Sequence, residues 1–129
     1  MSIRFSLGEV SIPGGKRRRY PLGPNARIHW GERHKWNEAW REEVWRAVAG
    51  CPQRWSLSLP WEYAIIKLTI YATHRPDDDN ATAMVKPIVD SLKGLVIKDD
   101  AAEKVRIIVE TKKVEHKKEE HVEITVVKS

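Results

Sequence analysis

Between Arg75 and Asp100 the chain reads RPDDDNATAMVKPIVDSLKGLVIKDD. Its aspartates fall in three groups, Asp77-Asp78-Asp79, Asp90 and Asp99-Asp100, with Lys86 among them. Carboxylates gathered at one place repel and raise one another's pKa, so a fold keeps such a gathering with a cation or for chemistry. Each group alone has a structural explanation. Asp77 to Asp79 suit the cap and first turn of a helix, and Asp99-Asp100 suit a solvated turn. Their joint occurrence with a lysine favours a shared site. Oxygen-only ligands select a hard divalent ion, Mg2+ or Mn2+, held by few carboxylates with water completing its shell. Such an ion can activate water and polarise a phosphoryl oxygen, while a lysine neutralises the charge that builds on the phosphate.

The elements that must position these groups can be read around them. From Ala81 to Val96 the apolar residues Ala81, Met84, Val85, Ile88, Val89, Leu92, Leu95 and Val96 recur at helical spacing and form one buried stripe. Lys86 and Asp90 fall on the opposite side one turn apart, and Asp79 extrapolates to the same polar face. Gly94 suits a C-cap, after which a short run returns Asp99 and Asp100 towards that face. Pro87 either bends this helix or marks a start near Lys86.

The order Asp-x-Asp-Asn, then Lys-Pro-x-x-Asp-x-Leu, then a short apolar run and Asp-Asp, resembles the RusA family of Holliday-junction resolvases. The resemblance covers nearly the whole chain and is specific in the middle. It implies essential acids at Asp77, Asp79 and Asp100, which would share the metal, and a catalytic lysine at Lys86. Asp90 and Asn80 also match the motif, and Asp90 and Asp99 are further candidate ligands. In one departure the lysine follows the asparagine by six residues, where the enterobacterial type has three. Three extra residues rotate a helix by about 300°, so the lysine roughly keeps its facing and moves about 4.5 Å along the axis.

The chain has 129 residues, 41% of them hydrophobic, and a net charge of +5, which suits one domain with a single core. The pI is about 9.4 although the strongest motif is acidic. A basic surface around an acidic centre suits a nuclease, which must attract phosphates before cutting between them. Cys51 is the only cysteine, which excludes an intrachain disulfide and fits a reducing compartment. No apolar run approaches the roughly 18 residues of a membrane span and no signal-peptide pattern opens the chain. A cytoplasmic protein with no membrane partner is expected.

In chain order, residues 3–12 alternate as a strand ended by Pro13-Gly14-Gly15. The basic run Lys16, Arg17, Arg18 and Arg19 is a phosphate-binding loop or a solvated turn. The turn-rich segment YPLGPNARIHW resembles the family's N-terminal loop, which makes Asn25, Arg27 and His29 candidates for contacting DNA. Arg75 and Asn80 beside the acidic group join them. Residues 34–49 give the clearest helix, with Trp36, Trp40, Val44, Ala47 and Val48 on one face and Trp45 turned away from it. Core filling explains this run of tryptophans best, and stacking on unpaired bases is the alternative.

Tyr63 to Thr73 alternates as a central strand and delivers the chain to Asp77. Val105–Val114 and Val122–Val127 read as two strands of a hairpin joined through EHKKEEH, with His116 and His121 as solvated turn residues. A calcium loop starting at Asp77 fails, with Thr82 and Ile88 where glycine and glutamate are required. There is no phosphate-binding glycine loop, zinc histidine pair or serine elbow, and no organic cofactor is implied.

These features predict a single α+β domain over residues 1–129, with a mixed sheet of about four to five strands and two main helices. The expected function is a metal-dependent endodeoxyribonuclease that resolves four-way junctions in recombination and repair by paired nicks, as a homodimer. Two alternatives stand beside it. One is a non-catalytic nucleic-acid-binding protein, and the other is a nuclease for flaps or other branched DNA.

Overall fold

The computed structural model describes residues 1–129. In chain order it contains β1 (Ser2–Leu7), β2 (Val10–Ser11), β3 (Arg17–Arg18), α1 (Trp30–Ala49), β4 (Ala64–Ala72), α2 (Asp78–Met84), α3 (Lys86–Leu92), β5 (Val105–Lys113) and β6 (His121–Lys128), with short 3-10 turns at Pro52–Ser56 and Lys117–Glu119. This is the expected α+β architecture. A mixed four-stranded sheet in the order β1-β6-β4-β5 carries the helices on one face, and β2 pairs with β3 in a small second sheet. No helix is long and apolar enough to cross a membrane.

The sheet works because its alternation is strict across neighbours. Phe5 pairs with Ile124 and Ile124 with Leu68, while Ile3, Val126 and Ile66 form the next row and Leu7, Val122 and Ile70 the third. All nine are buried, and each large aliphatic side chain so placed contributes about 1.5–3 kcal/mol relative to leaving it in water. The opposite face is solvated, as one side of an antiparallel sheet can be. There Glu123 binds Arg4 and the Tyr71 hydroxyl, both at 3.3 Å, and Lys67 meets Glu110 at 3.4 Å.

β5 and β6 do not form the expected hairpin. β4 lies between them, antiparallel to β6 and parallel to β5. The connecting segment passes over the end of β4, where Val114 N–H donates to the Ala72 carbonyl and Glu120 accepts from Thr73 N–H at 2.8 Å. Crossing β4 spans two strand spacings, roughly 10 Å, which a seven-residue charged link can bridge. His121 accordingly opens β6 and stacks on Tyr71 with centroids 4.4 Å apart, while His116 caps the short turn at Lys117–Glu119.

The first expected strand is also divided. It breaks at Gly8, whose N–H donates to the buried Glu43 carboxylate on α1. α1 begins four residues earlier than its apolar pattern suggests, at Trp30, because His29 caps it through Nδ1, which accepts from Gly31 N–H at 3.0 Å. Trp36 and Trp40 are core, whereas Trp45 is 47% and Trp30 78% exposed.

The helix expected over Ala81–Val96 is two short ones. Val85 joins them in a helix-like conformation at φ −83° and ψ −5°. Pro87 sits in the first turn of α3, where its missing N–H costs no internal bond. Lys93 ends α3 in an extended conformation, and Gly94 turns the chain at φ +79°, a conformation that favours glycine.

Candidate functional site

α2 starts directly after the strand that feeds it. Asp77 takes the N-cap position, yet its carboxylate accepts no hydrogen bond from the helix, and Asp78 and Asp79 occupy the first turn. All three are exposed, and Asn80 behind them is half-buried. An uncommitted cap carboxylate beside two more is a concentration of negative charge that the positive helix terminus relieves only in part.

A second acidic group forms at the other end of the helical pair. Lys86 and Asp90 share a face of α3, with Nζ 3.7 Å from the carboxylate. Lys93, one residue beyond the helix, reaches Asp90 at 3.4 Å and Asp100 at 3.1 Å. The hydrogen bond from Lys93 holds the Asp100 carboxyl below the usual aspartate range against the opposing effect of burial. The bond to Asp100, with a weaker one to Asp90, lifts the Lys93 ammonium above the usual lysine value. Asp99 is used locally, its carboxylate accepting from Asp100 N–H at 2.8 Å.

The expected meeting of Asp77, Asp79 and Asp100 does not occur. β4 and β5 are parallel, so the crossover between them leaves from one end of the strand pair and returns to the other. Asp77 to Asp79 follow the C-terminal end of β4. Asp100 precedes the N-terminal end of β5, on a segment held by Trp61 through the bond from Lys98 N–H to the Trp61 carbonyl at 2.9 Å. Asp79 stands in the first turn of α2 and Asp90 in the second half of α3, so the two acidic groups belong to opposite ends of the helical pair. No three His, Cys, Asp or Glu side chains are gathered so that they could hold a metal ion. The full implied ligand set therefore does not fit one ion. Asp90 and Asp100 converge instead on a single positive charge, the Lys93 ammonium.

The basic residues also divide. Lys16 is committed to Glu32 at 2.6 Å, and Arg17 and Arg19 share Glu9 at 3.6 and 3.3 Å. Arg18 lies over the Tyr20 ring and bonds the Tyr20 carbonyl. Together with His74 and Lys117, Arg17 to Arg19 border a cleft of about 460 Å³ beside the C-terminal end of β4, three residues before Asp77. Arg75 hydrogen-bonds Thr111 at 3.1 Å at the same end of the sheet. Asn25 and Arg27 are exposed in the loop before α1, with His29 as its cap.

A larger groove of about 560 Å³ runs between α1 and α3. Arg33, Arg41 and Trp45 line it from α1, Lys86 and Asp90 line it from α3, and Leu22 adds an apolar contact from the preceding loop. It joins the second acidic group to a basic and aromatic wall. Sequence reasoning missed Lys93, although its spacing of three from Asp90 was a usable signal. It also missed the groove, which depends on how two distant helices pack.

No protein-family model matches this chain, and no curated protein matches it.

Proposed function

We propose that this chain is a metal-dependent endodeoxyribonuclease of the RusA kind acting on branched DNA, with four-way junctions as its substrate. The observation that carries this reading is the convergence of Asp90 and Asp100 on Lys93 Nζ at 3.4 and 3.1 Å, beside a groove that also presents Lys86 and Arg41. A carboxylate pair that already surrounds one cation, next to a basic groove, has the charge pattern needed to hold a divalent ion and a phosphodiester together.

In this proposal Asp90 and Asp100 would hold Mg2+ or Mn2+, which would supply charge neutralisation and activation of water at the phosphate. Lys93, which such an ion would displace from the two carboxylates, would be free to contact the phosphate. Lys86, exposed on the adjacent turn of α3, neutralises charge on the phosphate as bonds change. The cleft of Arg17 to Arg19 would position the strand, while Asp77 and Asp79, exposed at the far end of the helical pair, stand outside this ion site. Asp99 fixes the turn that carries Asp100. Resolution of a junction by matched nicks requires a second copy related by a two-fold axis.

A second reading, a nucleic-acid-binding protein without catalysis, is favoured by the division of the aspartates and by the neutralisation of Asp90 and Asp100 by lysine. Labelled four-way, three-way and flap DNA incubated with Mg2+, Mn2+ or chelator separates the two. Metal-dependent nicks supports the nuclease, with the preferred substrate deciding between junction and flap. Binding without cleavage under every condition would leave the second reading.

A further inference from the structure

We propose that the groove between α1 and α3 is a binding site for unpaired nucleotides, with Trp45 as the stacking surface and Arg41 and Lys86 as phosphate contacts. The inference rests on the nucleic-acid reading above but not on catalysis.

Three observations carry it. First, Trp45 is 47% exposed in the body of α1, where Trp36 and Trp40 are buried and Trp30, the helix's first residue, is exposed as well, so the core does not account for Trp45. It lines the groove. Second, the Arg41 guanidinium lies 4.7 Å from the Trp45 ring centroid. That contact lays a planar cation over the indole, the pairing that extends a base stack. Third, the groove's ionic lining is Arg33, Arg41, Lys86 and Lys93 against Glu38 and Asp90, four cations to two carboxylates. An excess of positive charge along an aromatic wall selects a ligand that alternates anionic and planar groups.

Single-stranded DNA is such a ligand, and a duplex is not, because its bases are stacked on one another and unavailable to Trp45. Arg33 is less free than its neighbours, since it bonds the Gly23 and Ala26 carbonyls at 3.3 and 3.2 Å and so anchors the loop at the groove's edge. A strand lying in the groove passes Lys86 and Asp90 and comes to the second acidic group, which places unpaired nucleotides of a branch next to the proposed cutting site.

The test is fluorescence-anisotropy titration of the full chain with a labelled oligothymidylate, an abasic oligomer of equal length and a blunt duplex, all in chelator so that no strand is cut. Trp45→Ala should weaken oligothymidylate binding by about tenfold, within the range for losing one base stack. Trp45→Phe should restore most of it, and neither should alter binding of the abasic oligomer. Trp55→Ala, which removes another exposed tryptophan outside the groove, should match wild type. Equal loss on the abasic oligomer and on oligothymidylate would overturn stacking. So would equal loss from Trp55→Ala, or competition by polyglutamate as strong as by oligothymidylate, which would assign the groove to an acidic peptide. Because cleavage is not read, the titration decides the groove independently of the nuclease reading, and a chain shown by the separate nicking assay never to cut would refute the nuclease and leave the groove standing.

Discussion

Lys93 and Asp100 meet across a tight turn, the ammonium 3.1 Å from the carboxylate. The turn is closed by Gly94 N–H donating to the Ile97 carbonyl at 2.7 Å and by Ile97 N–H donating to Leu92 at 3.2 Å. This contact fixes where the last acidic pair stands relative to α3.

The pair should be silent across neutral pH. The folded pKa of Asp100 is depressed, so its contribution is complete above that of an unfolded aspartate, about 3.9, and is lost as pH falls through the depressed value. The folded pKa of Lys93 is raised, so its contribution is complete below about 10.4 and is lost as pH rises through the raised value. Carboxyl-carbon NMR titration should find the Asp100 midpoint below that of an ordinary aspartate, and Lys93→Met should move it upward. A midpoint indifferent to Lys93→Met would mean that the ion pair does not persist in solution.

Gly94→Ala isolates the cost of the turn. A Cβ at Gly94 meets nothing within 4 Å, so the penalty is conformational and comes from φ +79°. It should lower stability by about 1 kcal/mol, read as a lower melting temperature with unchanged secondary structure. A melting temperature equal to wild type would show that the turn is not held in this conformation.

Glu43 ties α1 to the break between β1 and β2. Burial alone would raise its carboxyl, but the Arg46 guanidinium at 2.7 Å and the Gly8 N–H outweigh that and hold it below the usual range. Glu43→Ala leaves the Gly8 donor without this acceptor and should cost about 2–3 kcal/mol in urea unfolding. The exposed neighbour Glu42→Ala should stay within about 0.5 kcal/mol of wild type. Equal midpoints for the two variants would contradict the role given to Glu43.

Much of the fold was legible because its signals are local. The alternation of Ala64, Ile66, Leu68, Ile70 and Ala72 marks β4 as central, and Pro87 marks the interruption that becomes the junction of α2 and α3. The start of α1 was hidden because a histidine cap lies outside the usual cap residues. The pairing of β5 was hidden for a different reason. Two strands separated by a short charged link look like a hairpin, and only the packing of the whole sheet reveals that β4 lies between them. That same parallel arrangement decides the site. Helical facing correctly put Lys86 and Asp90 together, but facing says nothing about distance along the axis, and the crossover sets Asp79 and Asp100 beyond opposite ends of the β4–β5 pair. Lys93 escaped notice because it lies outside the motif that drew attention to its neighbours.

The central claim is tested most directly by measuring Mg2+-dependent nicking of a labelled four-way junction by wild type, Asp100→Asn and Asp90→Asn, with junction binding measured in parallel in chelator. The expected result is cleavage by wild type that both substitutions abolish, with binding retained or tightened because a repulsive carboxylate is gone. Cleavage by Asp100→Asn at the wild-type rate, or no cleavage by wild type with any divalent ion, would contradict it.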